Sequence, residues 1–376
     1  MNREAAEYTL AIIRAVMKES AVPGLPEGID LGELFAFARF HNVEALLWHG
    51  LSQLEMPEDN PVWQFWQNRG AMLLAQGVVQ LSERDILIDA LTSADIPVLP
   101  VKGCWIKELY PNLEYRQMAD LDMLIPEECL PKATSLMLTL GYTTDTAENA
   151  PNHASFLKPP YTEVELHVKL LEEDRGYYAD VWQRAQPVED VPGLFRFRKE
   201  DEYIYYFLHM QKHLEDAGAG IRSVLDSLIY RTAWPDMDWA YLRQELEKWD
   251  LWELAQNIQR LCDCWFVTGE PVPEDLHSMA EAFLTSGSYG TVENRSQNRL
   301  AKLEKTYKSP LIRGVVYWAI QVFRPMEEMK RGFPVLKKAP FLLPVFWAYR
   351  AVRKFANRPG EIWHHITIVF GKGTKK

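Results

Sequence analysis

Between Pro97 and His167 the chain carries three polar islands inside apolar surroundings: Val101-Lys102-Gly103-Cys104, Ala119-Asp120-Leu121-Asp122-Met123-Leu124-Ile125 and Val164-Glu165-Leu166-His167-Val168. Side chains on a β-strand alternate between its faces. A strand over 120–125 therefore sets Asp120 and Asp122 on one face and Leu121, Met123 and Ile125 on the other. A strand over 162–168 buries Val164, Leu166 and Val168 and turns Glu163, Glu165 and His167 away from that core. Side by side, two such strands gather three carboxylates. At ~4 Å and an effective dielectric of ~20, each like-charged pair costs about 4 kcal/mol. Divalent cations offset such a cost, and hard Mg²⁺ prefers carboxylate oxygen. The pattern points to metal-assisted phosphoryl chemistry.

Around these islands the chain reads as an α+β protein. The first ~90 residues carry helical stripes, Leu31, Leu34, Phe35, Ala38 and Phe40, then Val43, Leu46, Leu47 and Leu51, with a further amphipathic segment from Leu73 to Leu91. Ile96–Val101 is short and β-rich, and Gly103 breaks it before a brief helix to Tyr110. Pro126-Glu127-Glu128 opens a helix to about Leu140, stopped by Gly141 as a residue just past a helix end. This order implies a small mixed sheet with helices packed on it. Helices follow at 200–215, 220–233, 238–248 and 251–267, with Asp238 as an N-cap, and again near 310–322 and 344–357. The expected division is an N-terminal helical segment (1–92), a sheet-bearing core (93–198), a helical domain (199–290) and a basic, aromatic-rich helical tail (291–376).

Charge separates that tail from the rest. Arg295–Lys376 holds 18 Lys and Arg against 4 Asp and Glu, while the remainder is strongly acidic and the whole chain carries −11. Docking of the tail on the chain's own acidic body is the simpler expectation; an anionic membrane surface is the alternative, and nucleic acid ranks behind both. Cys104, Cys129, Cys262 and Cys264 lack disulfide-framework spacing, Arg3, Glu4 and Glu7 interrupt any leader, and Ala339–Tyr349 is too short to span a bilayer. The expected location is cytoplasmic, with peripheral membrane attachment as the variant.

Taken in order, several blocks resemble the nucleotidyltransferase-like family within the polymerase-beta-type nucleotidyltransferase superfamily. They are His41-Asn42-Val43-Glu44, Leu99-Pro100-Val101-Lys102-Gly103, Arg116-Gln117-Met118-Ala119-Asp120-Leu121-Asp122, Leu140-Gly141-Tyr142, Val164-Glu165-Leu166-His167, His209 to His213, and Ile221 to Asp226. The resemblance spans roughly residues 30–270. It implies a nucleotidyltransferase core in which Asp120, Asp122 and Glu165 hold Mg²⁺ or Mn²⁺ and serve catalysis. It also implies that Lys102, Gly103, Arg116 and His167 contact a nucleoside triphosphate whose nucleotidyl group passes to an acceptor: a small molecule, glycan or protein. The wider superfamily carries Gly-Ser where this chain has Lys102-Gly103-Cys104, and a thiol is a poorer donor than a hydroxyl. A non-catalytic nucleotide-binding or interaction module is therefore the alternative. Lys212, His213, Arg222 and Asp226 are candidates for the acceptor wall, against a plain Arg222–Asp226 ion pair at i, i+4. A zinc site from His209, His213, Cys262 and Cys264 is the weakest reading, since Cys-x-Cys lacks zinc-ribbon spacing.

Overall fold

The computed structural model describes residues 3–55, 60–144, 153–160, 162–170, 181–326, 329–330 and 333–357. Three helices, α1 (Arg3–Met17), α2 (Leu31–Phe40) and α3 (Glu44–Leu51), precede the long α4 (Pro61–Ser93). Asp30 caps α2 by accepting from Gly32 and Glu33 N–H, and Asn60 caps α4 with Pro61 in the first turn. That start signal, ahead of Leu73, makes α4 longer than its amphipathic half suggests.

The sheet is built from β1 (Leu99–Pro100), β2 (Leu121–Leu124), β3 (Thr143–Thr144), β4 (His153–Lys158) and β5 (Thr162–His167), with α5 (Gly103–Leu109) after β1 and α6 (Leu130–Thr139) after β2. Strand order is β1-β2-β5-β4-β3; β2 and β5 run parallel and the other neighbours antiparallel. Gly141, at φ 86°, ends the turn after α6. Leu121, Met123, Ile125, Val164 and Leu166 join Leu87 and Leu91 of α4 and Ala133 and Met137 of α6 in one apolar cluster. One sheet face is thus closed, and the carboxylates stand on the other. The fold is α+β with a small mixed sheet, as the sequence implies.

A short helix, α7 (Val181–Arg184), and a hairpin of β6 (Gln186–Pro187) and β7 (Phe195–Arg196) lean on Val98 beside β1. Helices α8 (Lys199–Asp216), α9 (Ile221–Ala233), α10 (Trp239–Lys248) and α11 (Trp252–Cys262) follow, and α11 runs on into a π-helical turn, Asp263–Thr268. Then come α12 (His277–Ser286), α13 (Val292–Glu304), α14 (Pro310–Val322) and α15 (Leu343–Asn357). The helices expected after Lys199 fall within a residue or two of these bounds, and Asp238 caps α10 as expected. A second, larger apolar cluster unites Ile12, Leu34 and Leu46 of the first helices with Tyr203, Phe207, Val224 and Leu261 of the later ones. Among the described residues no helix is long and apolar enough to cross a membrane.

Candidate active site

The parallel register of β2 and β5 places Asp122 opposite Glu165 and Leu124 opposite His167. Asp120 lies one residue ahead of β2, at the mouth of the same face. Oxygens of Asp120, Asp122 and Glu165 lie within 4.8 Å of one another. The period-2 reading of the two strands is thereby realised in space.

Lys102 sits in the turn from β1 into α5, at φ 53° and ψ −123°. Its ammonium donates to Asp122 Oδ1 at 2.6 Å, and His167 Nε2 reaches the same oxygen at 2.7 Å and Glu165 Oε2 at 3.2 Å. Gly103 is needed for close packing: a Cβ there falls 2.7 Å from Met118 Sδ. The Cys104 thiol is fully buried and donates to the Asp122 carbonyl at 3.4 Å, facing the sheet rather than the cleft.

These contacts set the electrostatics. Burial opposes the Asp122 charge, yet Lys102 and His167 hold its carboxyl well below the ordinary range. Asp120 lacks so close a cation; burial and the Asp122 charge push it up to about 7. The hydrogen bond from His167 keeps Glu165 low, and although burial opposes a charged His167, Asp122 and Glu165 raise it above its usual value. A carboxylate held back from ionising by a second one is what a cation relieves. The all-oxygen donor set suits Mg²⁺ or Mn²⁺, so these residues fit the group that the resemblance implies.

The facing wall of a cleft of about 340 Å³ comes from α8 and α9, through Tyr205, His209, Lys212, His213 and Arg222. His209 and His213 meet at 3.2 Å through their Nε2 atoms. Burial, with Lys102 next, lowers both, His213 to about 4, so both rings are neutral at pH 7.

Arg116 lines the cleft, but its guanidinium is engaged elsewhere. Nε and Nη2 form a fork with Asp226 at 3.1 and 3.0 Å, and Tyr110 Oη donates to the same carboxylate at 2.7 Å. The i, i+4 pair expected between Arg222 and Asp226 is replaced by this fork, and Arg222 Nη1 donates to the Gln117 carbonyl at 2.9 Å. The loop before β2 is held in three places: Lys107 Nζ donates to Arg116 O, Arg222 to Gln117 O, and Gln80 to Met118 O. Lys107 and Gln80 were not singled out in the sequence. Their signal was a polar residue on an otherwise non-polar helical face, Lys107 with Gly103 and Cys104 and Gln80 with Leu73 and Leu87. His153 on β4 was also missed; its Nε2 stands 3.5 Å from Glu165 Oε1.

Among the described residues, the side-chain groups close enough to hold an ion are Asp120–Asp122–Glu165 and His153–Glu165–His167. Neither includes His209, His213 or the cysteines, and Cys262 is buried in the helical core. The zinc reading has no support there.

A mixed sheet thus presents clustered carboxylates, close enough to share one metal ion, and a lysine at the floor of a helix-walled cleft. The sequence model of a family described as uncharacterised nucleotidyltransferase matches residues 27–267, and the chain belongs to that family. No curated protein and no solved structure matches it.

Proposed function

We propose that the protein transfers a nucleoside monophosphate from an NTP to an acceptor, releasing pyrophosphate, with Mg²⁺ or Mn²⁺ at Asp120, Asp122 and Glu165. The observation that carries this reading is the register that sets Asp122 beside Glu165 with Asp120 at the mouth of the cleft. A bound cation supplies charge neutralisation of the triphosphate and alignment for in-line displacement. The chain's own groups do the rest. Lys102, poised on Asp122, brings a point charge to the phosphates. Glu165 accepts the proton of the acceptor hydroxyl as its oxygen bonds to the α-phosphorus and the bond to the β-phosphate oxygen breaks. His167 holds Asp122 and Glu165 in place. Neutral His209 and His213 line the acceptor side without adding charge.

A thermal-shift panel of ATP, GTP, CTP and UTP, with and without Mg²⁺, tests this. Ligand at ~100 times its dissociation constant stabilises by about 2.7 kcal/mol. A Mg²⁺-dependent shift, absent in Asp120→Asn/Asp122→Asn, is expected. Asp122→Asn alone should abolish transfer and keep the native circular dichroism; turnover in that variant would sink the assignment. The inward-facing Cys104 favours a second reading, a module that binds nucleotide without transferring it. NTP binding with no label moved to any acceptor would decide for it.

The start of the tail meets the acidic body, which supports docking there: Arg295 bonds Asp216 at 2.9 Å, with Arg299 next to Asp216 and Lys302 next to Glu215. Exposed Leu311, Val315, Val345 and Val352 keep an anionic membrane as the rival partner. Binding to anionic but not neutral vesicles would favour it.

A further inference from the structure

The geometry points to a second, nitrogen-bearing metal position in this cleft, formed by His153, Glu165 and His167, that takes Mn²⁺, Co²⁺ or Zn²⁺ in preference to Mg²⁺. It shares Glu165 with the carboxylate site described above, yet it stands whether or not the chain transfers nucleotides.

The backbone builds it. In the antiparallel β4–β5 pair, His153 lies directly opposite His167, and Glu165 precedes His167 by two residues, so all three side chains leave the same sheet face. Nε2 of His167 is 3.2 Å from Glu165 Oε2, Nε2 of His153 is 3.5 Å from Glu165 Oε1, and the two imidazole centroids are 5.2 Å apart. One nitrogen or oxygen of each residue lies within 4.8 Å of the others.

The His153–Glu165 spacing is that of two ligands rather than of a hydrogen bond, and on coordination His167 Nε2 exchanges its hydrogen bonds to Asp122 and Glu165 for the ion. At 3.5 Å, the His153–Glu165 separation is long for a hydrogen bond. Ligands about 2.0–2.2 Å from one ion, however, stand roughly 3.0–3.5 Å from each other, the edges of an octahedron or tetrahedron. Both separations to Glu165 fall there. Asp122 Oδ1, 2.7 Å from His167 Nε2, adjoins the same position and is a further oxygen donor. None of the three side chains is fully buried: side-chain exposures are 23% for His153, 22% for Glu165 and 10% for His167, which leaves an ion a path in from the cleft.

Imidazole decides the selectivity. Mg²⁺ takes oxygen ligands and keeps its waters, whereas nitrogen donors suit Mn²⁺ through Zn²⁺ with rising affinity. The Asp120–Asp122–Glu165 group offers only oxygen. The two positions therefore differ in ion preference while sharing one carboxylate.

The test uses the full-length protein, stripped with a chelator and titrated with Co²⁺ alone by visible absorption and calorimetry, and with Mg²⁺ by calorimetry. Wild type should bind Co²⁺ more tightly than Mg²⁺ and show d–d bands of nitrogen-ligated cobalt. His153→Ala and His153→Gln should each weaken the tightest Co²⁺ event by more than about tenfold, since even partners outside the first coordination shell are worth that much. Mg²⁺ affinity and melting temperature should stay as in wild type. Asp120→Asn should do the converse, weakening Mg²⁺ and sparing Co²⁺. Co²⁺ affinity unchanged in both His153 variants overturns the proposal, because the cobalt is then held elsewhere. So does an Asp120→Asn variant that loses both ions equally, because a single site then explains the data. None of these readings depends on nucleotidyl transfer, so failure here and failure of the proposed function are separable.

Discussion

Lys102 adopts a backbone conformation that glycine reaches freely and that costs other residues about 1–3 kcal/mol. The turn directs its ammonium back over β2 to Asp122 instead of out along α5. Lys102→Met keeps the strain and removes the charge; Lys102→Gly removes both. The glycine variant should be the more stable of the two by about 1 kcal/mol in denaturant titrations, and equal midpoints would show that the turn is unstrained. At Glu202, 3% exposed, burial outweighs Arg196 and the hydrogen bond from Tyr230: its carboxyl is pushed up to about 7, and one oxygen lacks a hydrogen-bond partner. The folded protein then binds this proton more tightly than the unfolded chain does. Stability from the group is full below about pH 4.5 and is lost as pH rises through 7, by roughly 3 kcal/mol. Glu202→Gln should flatten that decline in melts recorded from pH 5 to 8. At this scale the sequence was legible where strand alternation operates, which put Asp122, Glu165 and His167 on one face. It was silent on partners distant in the chain: no local pattern tells that Arg116 is held by Asp226, 110 residues on.

Elements were legible where a periodic stripe or cap marks them, hence the close bounds of α8 to α11 and α14. The strand β4 was not read, because Ala154 and Phe156 make too short an alternation before Pro159-Pro160, and with it went His153. How elements hold one another was also hidden. Tyr110 just past α5, Arg116 before β2 and Asp226 of α9 form a buried knot that joins sheet and helices. Asp226→Ala strands a guanidinium, and such one-sided losses cost about 3–5 kcal/mol. Its chemical-denaturation midpoint should fall accordingly; a change under ~1 kcal/mol would mean that Arg116 finds another acceptor. His41 joins α2 to α9 and α12: Nδ1 accepts from Ile221 N–H, and Nε2 donates to the Leu284 carbonyl. Burial lowers this ring to about 4, so the folded state favours its neutral form. The stability it contributes is full above about pH 6.5 and is lost as pH falls toward 4, by about 3 kcal/mol. His41→Gln should remove that acid-side loss from the pH profile of unfolding.

For the whole molecule, the basic tail begins as a structural strap. Asn298 donates to the Leu214 and Asp216 carbonyls at the end of α8, and Ser296 is fully buried. A chain ending at residue 290 should melt lower than one ending at 305, which keeps those bonds; identical melting would make α13 an appendage. Part of the tail's sequence, from 358 onward, lies outside the described residues. Composition showed the charge contrast between tail and body, but only packing shows that α13 spends its cations on Glu215 and Asp216.

The three carbonyls of Arg116, Gln117 and Met118, gripped from α5, α9 and α4, have a consequence for the order in which the polypeptide is made. Asp120, Asp122 and Glu165 leave the ribosome well before Arg222 and Asp226. At roughly 5–20 residues per second, that gap lasts several seconds. Until α9 emerges, the loop that aims Asp120 lacks one of its grips and Arg116 lacks its anion. A nascent chain halted short of α9 holds the carboxylates without the frame that orders them, so the cleft is complete only after nearly two thirds of synthesis.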